Sequence, residues 1–284
     1  PGLLLAQGDP GLPTPAGKTP AKPSLDLEVL GAASINPETG TPEFSTTDMR
    51  LGEGPLAVEF RRTWRELEGA RTGLGQGWAL TVDERLEGTD SKTVCWVDGR
   101  GERRWFALDG DVWTATRGRP ATLRRLLDKS SEVSGYELTG LGDRLTRRFD
   151  KAGDLVSLSD ANGRALTMTR AAGLCGAIEG PAGRIAIRRD DENRIIGLTG
   201  PDSLRVSYSY DKSGRVSRVD NADNTFWTYQ YDSFGRLTVV GAEHLKFSYD
   251  SVGRVSRIHG KNVRDRKISY IQSADPIRSW ITLI

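Results

Sequence analysis

The chain repeats itself. Phe149-Asp150, Thr169-Arg170, Arg189-Asp190, Tyr210-Asp211, Tyr231-Asp232, Tyr249-Asp250 and Tyr270-Ile271 begin units spaced 20, 20, 21, 21, 18 and 21 residues apart. A period of that length confines the chain to an architecture in which each unit is one small element, stable only when stacked on its neighbours. Three copies share the pattern Tyr-Asp-x-x-Gly-Arg-aliphatic: Tyr210, Asp211, Gly214 and Arg215; Tyr231, Asp232, Gly235 and Arg236; Tyr249, Asp250, Gly253 and Arg254. Asp opens a turn by accepting backbone N–H groups about two residues on, and Gly three positions later supplies the left-handed residue that closes a hairpin with a bulge.

Before each turn the residues alternate. Val206, Tyr208 and Tyr210 share one face, as do Trp227, Tyr229 and Tyr231, then Leu245, Phe247 and Tyr249, while Ser, Thr, Gln and Lys occupy the other face. This period of two predicts half-buried antiparallel strands with an aromatic ladder. Earlier copies keep the register with weaker residues, including Asn193 in the Gly slot. A second turn sits mid-unit near Asp160-Ala161-Asn162-Gly163, Gly180-Pro181-Ala182-Gly183 and Asn221-Ala222-Asp223-Asn224. Each unit reads as two strands and two turns.

Four segments follow. Residues 1–28 hold six of the thirteen prolines and read as a tether or surface strap. Residues 29–128 carry short β segments around Phe60, Trp78, Cys95 and Trp105, split by turns at Gly73-Leu74-Gly75-Gln76-Gly77 and Asp98-Gly99-Arg100-Gly101. Residues 129–271 are the repeats, about seven units, and 272–284 is an unassigned end. Thr122-Leu127 is the best helix candidate and reads equally as a strand. The predicted class is all-β, antiparallel β-hairpin repeats forming a curved ribbon.

Charge is nearly balanced, 40 basic against 38 acidic residues, which predicts no strong pull toward nucleic acid or anionic membrane. The repeat Arg falls at a fixed slot after the turn Gly, as expected for a stem that covers aromatic surface and pairs with Asp rather than for a nucleic-acid stripe. No run approaches the ~20 apolar residues of a membrane-spanning helix. Gly2-Leu3-Leu4-Leu5-Ala6 is compatible with the tail of a secretory signal.

Candidate chemistry is sparse. His244 and His259 are the only histidines, and Cys95 and Cys175 the only cysteines. The thiols read as buried small hydrophobes, with a disulfide open only in an oxidising compartment. Asp83-Glu84 and Asp190-Asp191-Glu192 read as solvated or opposite-facing carboxylates rather than an acid–base pair or calcium site. No catalytic, cofactor-binding or metal-binding residue is assigned. Exposed aromatics can stack on sugar rings, and the first candidates are Trp227, Tyr229 and Tyr231.

The Tyr-Asp units resemble the YD repeats of bacterial Rhs proteins, insecticidal toxin complexes and animal teneurins. The preceding segment is similar to the domain that opens many Rhs repeat regions, through Asn36-Pro37-Glu38-Thr39-Gly40, Asp48-Met49-Arg50-Leu51, Phe60-Arg61-Arg62-Thr63-Trp64, Gly73 to Trp78 and Asp98 to Glu102. The resemblance covers about residues 31–271. It implies a non-enzymatic β-ribbon that contributes to, or forms part of, an Rhs-type shell around a toxic cargo, with further shell segments, the cargo and secretion machinery as partners. It also implies bacterial secretion or surface display, with cytoplasmic assembly before export as the alternative. The alternative function is a secreted adhesin or carbohydrate-binding module that meets surface glycans directly. The family's closed shells take more repeats than these, and of its Asp-Pro-x-Gly-Leu cleavage signature Asp275-Pro276 shares only the first two residues.

Overall fold

The computed structural model describes residues 25–27, 33–36, 39–65, 73–241, 245–260, 263–272 and 279–283. The Pro-rich lead up to residue 24, His244 and Asp275-Pro276 lie outside them. All regular structure described is antiparallel β, apart from single 3-10 turns at Thr81–Asp83 and Pro201–Ser203. Thr122–Leu127 is a strand, paired on both sides.

The chain divides into two compact units, Ser45–Thr225 and Pro1–Phe44 with Phe226–Ile284. In the first, every strand from Arg85–Glu87 to Val216–Asp220 pairs with the next along the chain. In the second, the Phe226–Tyr231, Leu237–Val240, Leu245–Tyr249, Val255–Gly260, Val263–Gln272 and Ser279–Leu283 strands do the same. Ladders of nearest neighbours are what hairpin repeats produce.

One turn chemistry recurs. At Asp98, Asp128, Asp150, Asp160, Asp190 and Asp211, and in the other unit at Asp232 and Asp250, carboxylate Oδ1 accepts the N–H groups two and four residues on, at 2.8–3.0 Å. The Asp N–H donates to the carbonyl four residues on, and the residue three on donates back to the Asp carbonyl. That third residue is left-handed: Gly214 at φ 73°, Asn193 at 63°, Ser131 at 62°. The geometry is a type I turn closed by a left-handed residue, the three-residue hairpin loop. At Ala172-Gly173 the Asp is missing and a two-residue loop with both residues left-handed, φ 49° and 78°, takes its place.

A second irregularity is as regular as the turn. Directly after each repeat turn the returning strand carries one extra residue. Tyr210 pairs with Val216 but Ser209 pairs with Arg218, leaving Ser217 unpaired in the ladder. The same step occurs at Phe149, Arg170 and Arg189, and in the other unit at Tyr231 and Tyr249. A bulge bends its strand and sharpens the local twist. It also fixes the inward aliphatic residue: Leu155, Ile195, Val216, Leu237 and Val255 are all completely buried, as is Cys175 in the equivalent slot. The alternation predicted for the strands holds, with Val206 and Tyr208 buried beside Ser207 and Ser209 exposed.

Replacing Asp211 with Ala removes two accepted backbone bonds and the contact to Arg215, and is expected to cost about 1–2 kcal/mol in urea denaturation. Asp211→Asn keeps the backbone acceptor and should lose about half as much. Equal losses from the two variants would show that the ion pair, not the turn, carries the effect.

Candidate functional site: the seam between repeats and opening segment

Three repeat turns reach the next repeat within their own unit. Within Ser45–Thr225, Asp190 Oδ2 accepts Arg194 Nε at 2.7 Å, and the Arg194 guanidinium lies over the Tyr210 ring, 5.1 Å from its centroid. The Tyr210 hydroxyl then donates to the Ile195 carbonyl at 2.5 Å. In the other unit Asp232 holds Arg236 over Tyr249 at 4.4 Å, and Tyr249 donates to the Leu237 carbonyl at 2.6 Å. Asp250 holds Arg254 over Tyr270 at 4.3 Å, and Tyr270 donates to the Val255 carbonyl at 2.8 Å. The four signature residues therefore form a relay: Asp fixes its own Arg, Arg covers the next Tyr, and that Tyr ties back to the aliphatic residue beside the Arg. Each ring contact is a cation–π pair of the order of 0.5–2 kcal/mol.

The relay meets the opening segment through backbone groups. A bulge turns the inward aliphatic N–H away from its own ladder, and a buried N–H without an acceptor costs about 1–3 kcal/mol. The acceptors come from residues 73–86: Leu155 N–H donates to the Glu84 carbonyl at 3.1 Å, Ile195 to Gly73 at 2.9 Å and Val216 to Leu74 at 3.1 Å, while Leu86 N–H donates to the Gly153 carbonyl at 2.8 Å. The same Tyr210 hydroxyl proton is shared with the Gly73 carbonyl, at 2.8 Å. In the other unit Val255 N–H and the Tyr270 hydroxyl converge on the Gly40 carbonyl, at 2.8 and 3.3 Å. At Gly75, φ 90°, an added Cβ would stand 2.8 Å from Arg215 Cα and 2.9 Å from the Gly214 carbonyl. The glycine run that reads as a simple turn is also the place where backbone lies against backbone.

Where the repeat lacks Tyr, Arg does its task. Arg170 Nε donates to the Leu155 carbonyl at 2.8 Å, and its Nη2 donates to the Val82 carbonyl.

Three charged clusters are sealed behind this seam. Arg62, fully buried, binds Asp48 through Nε at 2.7 and 3.0 Å, and Asp48 also accepts the Tyr208 hydroxyl at 2.6 Å. Burial, with Asp48 beside it, pushes the Tyr208 phenol well above its ordinary range. Glu84 accepts Trp96 Nε1 at 2.9 Å and faces Arg147 at 2.7 Å. Burial pushes Glu84 up to about 7, against the Arg147 charge and the Trp96 N–H that favour its ionised form; Arg147 is the partner that keeps its charge. Asp83 points to a different set, Arg170, Arg189, Arg85, Asp154 and Cys175. Its Oδ2 and the Nε and Nη2 of Arg189 are out of solvent and have no hydrogen-bond partner among the described residues. Burial pushes Asp83 up to about 6 against those arginines and the Cys175 thiol up to about 11.

The sugar-stacking candidates lie largely inward. Tyr229 is 2% exposed, with its ring 6.3 Å from Phe44, and half-buried Trp227 stands 5.5 Å from the same ring. Tyr231 is half-buried. Cys95 and Cys175 are both free and buried. His259 is half-buried and lines a cleft with Gln230 and Lys246. Sequence reasoning names Asp83-Glu84 but not their burial, and singles out neither Arg62 nor Arg147 as a buried charge, because an Arg or carboxylate in a polar-rich strand carries no mark of burial.

Comparison with known proteins places these parts. The profile described as Domain of unknown function (DUF6531) matches residues 32–106, and that described as RHS Repeat matches 189–225 and 210–246. No curated protein matches the chain. Among solved structures, the chain is similar to one described as the Photorhabdus luminescens Tc holotoxin pore with mutation TccC3-D651A, at 15% identity and TM-score 0.40, covering 88% of this chain and 15% of that one. It is also similar to TcdB2-TccC3 without its hypervariable C-terminal region, at 14% identity and TM-score 0.39, covering 88% and 15%. For TcdB2-TccC3-Cdc42 the values are 12%, 0.35, 84% and 17%. The chain thus spans about a sixth of the length of these structures.

Tyr210→Phe keeps the ring under Arg194 and deletes the one hydroxyl proton shared between the Ile195 and Gly73 carbonyls; a loss of about 1–3 kcal/mol in chemical denaturation is expected. Asp83 gives a pH signature. Its folded pKa of about 6 lies above the ordinary 3.8, so the folded state holds a proton that the unfolded chain has released. The Asp83 contribution to stability should therefore fall as pH rises from 3.8 to 6, and Glu84, raised from 4.5 to about 7, carries a further fall on to pH 7. Asp160, Asp190, Asp211 and Asp250 are shifted down, net of the burial that opposes it, by hydrogen bonds from their turns. Their contribution is lost only at pH below that window. In Asp83→Asn the slope between pH 4 and 6, read from urea midpoints, should flatten; an unchanged slope would place the titration elsewhere.

Proposed function

The chain belongs to the RHS-repeat proteins and carries a DUF6531 domain ahead of its repeats, and from that premise we propose that it is a structural, non-enzymatic stretch of an Rhs-type shell associated with enclosing and delivering a toxic cargo. The observation that carries this reading is the seam. Side chains that another protein would direct at a substrate are spent here on joining one repeat to the next, and the opening segment supplies backbone acceptors to successive repeats. Such a wall extends by adding repeats without new chemistry, because each new Tyr needs only the Arg and carbonyl of the copy before it. The balanced charge suits a wall that need not attract nucleic acid or anionic lipid. In this reading its partners are further shell segments, a toxin cargo and secretion machinery, and its destination is outside the cell or on its surface, with cytoplasmic assembly before export as the alternative.

Affinity-tagged chain recovered from the organism that makes it, under mild lysis, tests the proposal by mass spectrometry. Recovery with polypeptide that contains further Tyr-Asp-x-x-Gly-Arg units, either continuous with it or associated, is expected. Recovery of the tagged chain alone, as a monodisperse species, would overturn the shell reading.

A further inference from the structure

The face of the sheet opposite the aromatic ladder carries a cleft that the seam does not use. In the Ser45–Thr225 unit Arg188, Gly197, Ser207 and Asp220 lie side by side on four successive strands, and Thr199 and Arg205 form the neighbouring row on the same face. Arg188, Thr199, Arg205, Ser207, Asp220 and Asn221 line a cleft of about 490 Å³, within the ~300–1,000 Å³ range of small-molecule sites. The adjacent Leu198 and Val206 turn their side chains to the core, 1% and 2% exposed.

Gly197 lies buried beneath Arg188. Its φ is not left-handed, so the backbone does not require glycine there. An added Cβ would stand 3.3 Å from Arg188 Nη2 and 3.0 Å from the Val206 carbonyl. The missing side chain lets the Arg188 guanidinium lie down across the strand, and an interior strand glycine often marks such a close approach. At the equivalent register position of a later repeat stands Val239, beside Gln230, Lys246 and His259.

Charge and hydrogen bonding define what fits. Neither Arg188 nor Arg205 has an ion-pair partner among the described residues, whereas Asp220 is held by Arg218 at 2.6 and 2.9 Å and Asp190 by Arg194. Two guanidiniums frame a floor of Ser207 and Thr199, an arrangement suited to bidentate recognition of one carboxylate. Asp220 and the Asn221 amide add acceptors at the rim. A bare carboxylate or phosphate brings no donor array to those acceptors, while a hexuronate carries several hydroxyls beside its carboxylate.

We propose that the Arg188–Arg205 cleft binds the carboxylate of an acidic sugar, a hexuronate unit, with ring hydroxyls donating to Asp220. This reading does not rest on the shell function. The full chain is titrated with galacturonate, galactose and inorganic phosphate while the amide signals of Ser207 and Asn221 are followed by NMR. Saturable shifts are expected with galacturonate, weakened ~10-fold or more in Arg188→Ala and in Arg205→Ala, as for the loss of a charge-assisted bond, and unchanged in Arg184→Ala. Arg188→Lys, which keeps charge but not the fork, should recover only part of the binding. Asp220→Asn decides between sugar and bare anion: weaker galacturonate binding supports the proposal, and tighter binding overturns it. No saturable shift, galactose binding as strongly, or phosphate competing as an equal would each overturn it as well. Both arginines are exposed, so their alanine variants should retain the parent's thermal midpoint.

Discussion

Much of the structure depends on a backbone hydrogen bond that no side chain makes. Most repeat hairpins close with an Asp-capped turn, all the described ones carry an extra residue, and the extra residue rotates one aliphatic N–H out of the ladder. At Leu155, Ile195 and Val216 that N–H is buried and needs an acceptor, and the carbonyls of Glu84, Gly73 and Leu74 provide it. Without them each repeat would carry an unpaired donor at the point where its aliphatic residue enters the core. The curvature that the bulge introduces and the segment that satisfies it are thus two sides of one constraint. Hairpin repeats of this kind fold against a partner strand of backbone as much as against one another.

The relay of Asp, Arg and Tyr is more tolerant than its signature suggests. What the Tyr hydroxyl seeks is a carbonyl in the preceding repeat, and a second carbonyl in the opening segment. Arg170 reaches the equivalent pair, Leu155 and Val82, with two guanidinium N–H groups. Backbone acceptors are present whatever the sequence, so any donor of sufficient length and correct direction fills the role. The early repeats can therefore lose the signature yet keep the register, as the bulges at Phe149, Arg170 and Arg189 show.

The local features were legible in the sequence. Asp at the first position and Gly or Asn at the fourth define a turn by their own conformational preferences, and alternating aromatics define an inward face. The pairing of Arg with Asp and with an aromatic ring was also legible, because it follows from a fixed spacing, although the ring proves to belong to the next copy. The seam was not legible. Carbonyl acceptors leave no residue signature, and the glycines at 73, 75 and 77 look the same whether they turn in water or press on a neighbouring strand. Asp83 and Glu84 were read as opposite-facing, and they do diverge, but toward two different arginine clusters in distant parts of the sequence. The alternation of Trp227, Tyr229 and Tyr231 already marks a packing face, but nothing near Trp227 and Tyr229 in sequence announces Phe44, the ring against which they pack.

The seam also has a direction in time. Residues 73–86 leave the ribosome before any of the repeats they serve, so each hairpin emerges to find its acceptor already made. Glu84 takes Leu155 first, and the earlier residues Gly73 and Leu74 wait for Ile195 and then Val216. Every closure brings the next pair nearer, since the intervening chain is by then ordered and the loop still to be closed is short. A protein built this way can wind itself up during synthesis, the opening segment acting as the spool on which later repeats are laid.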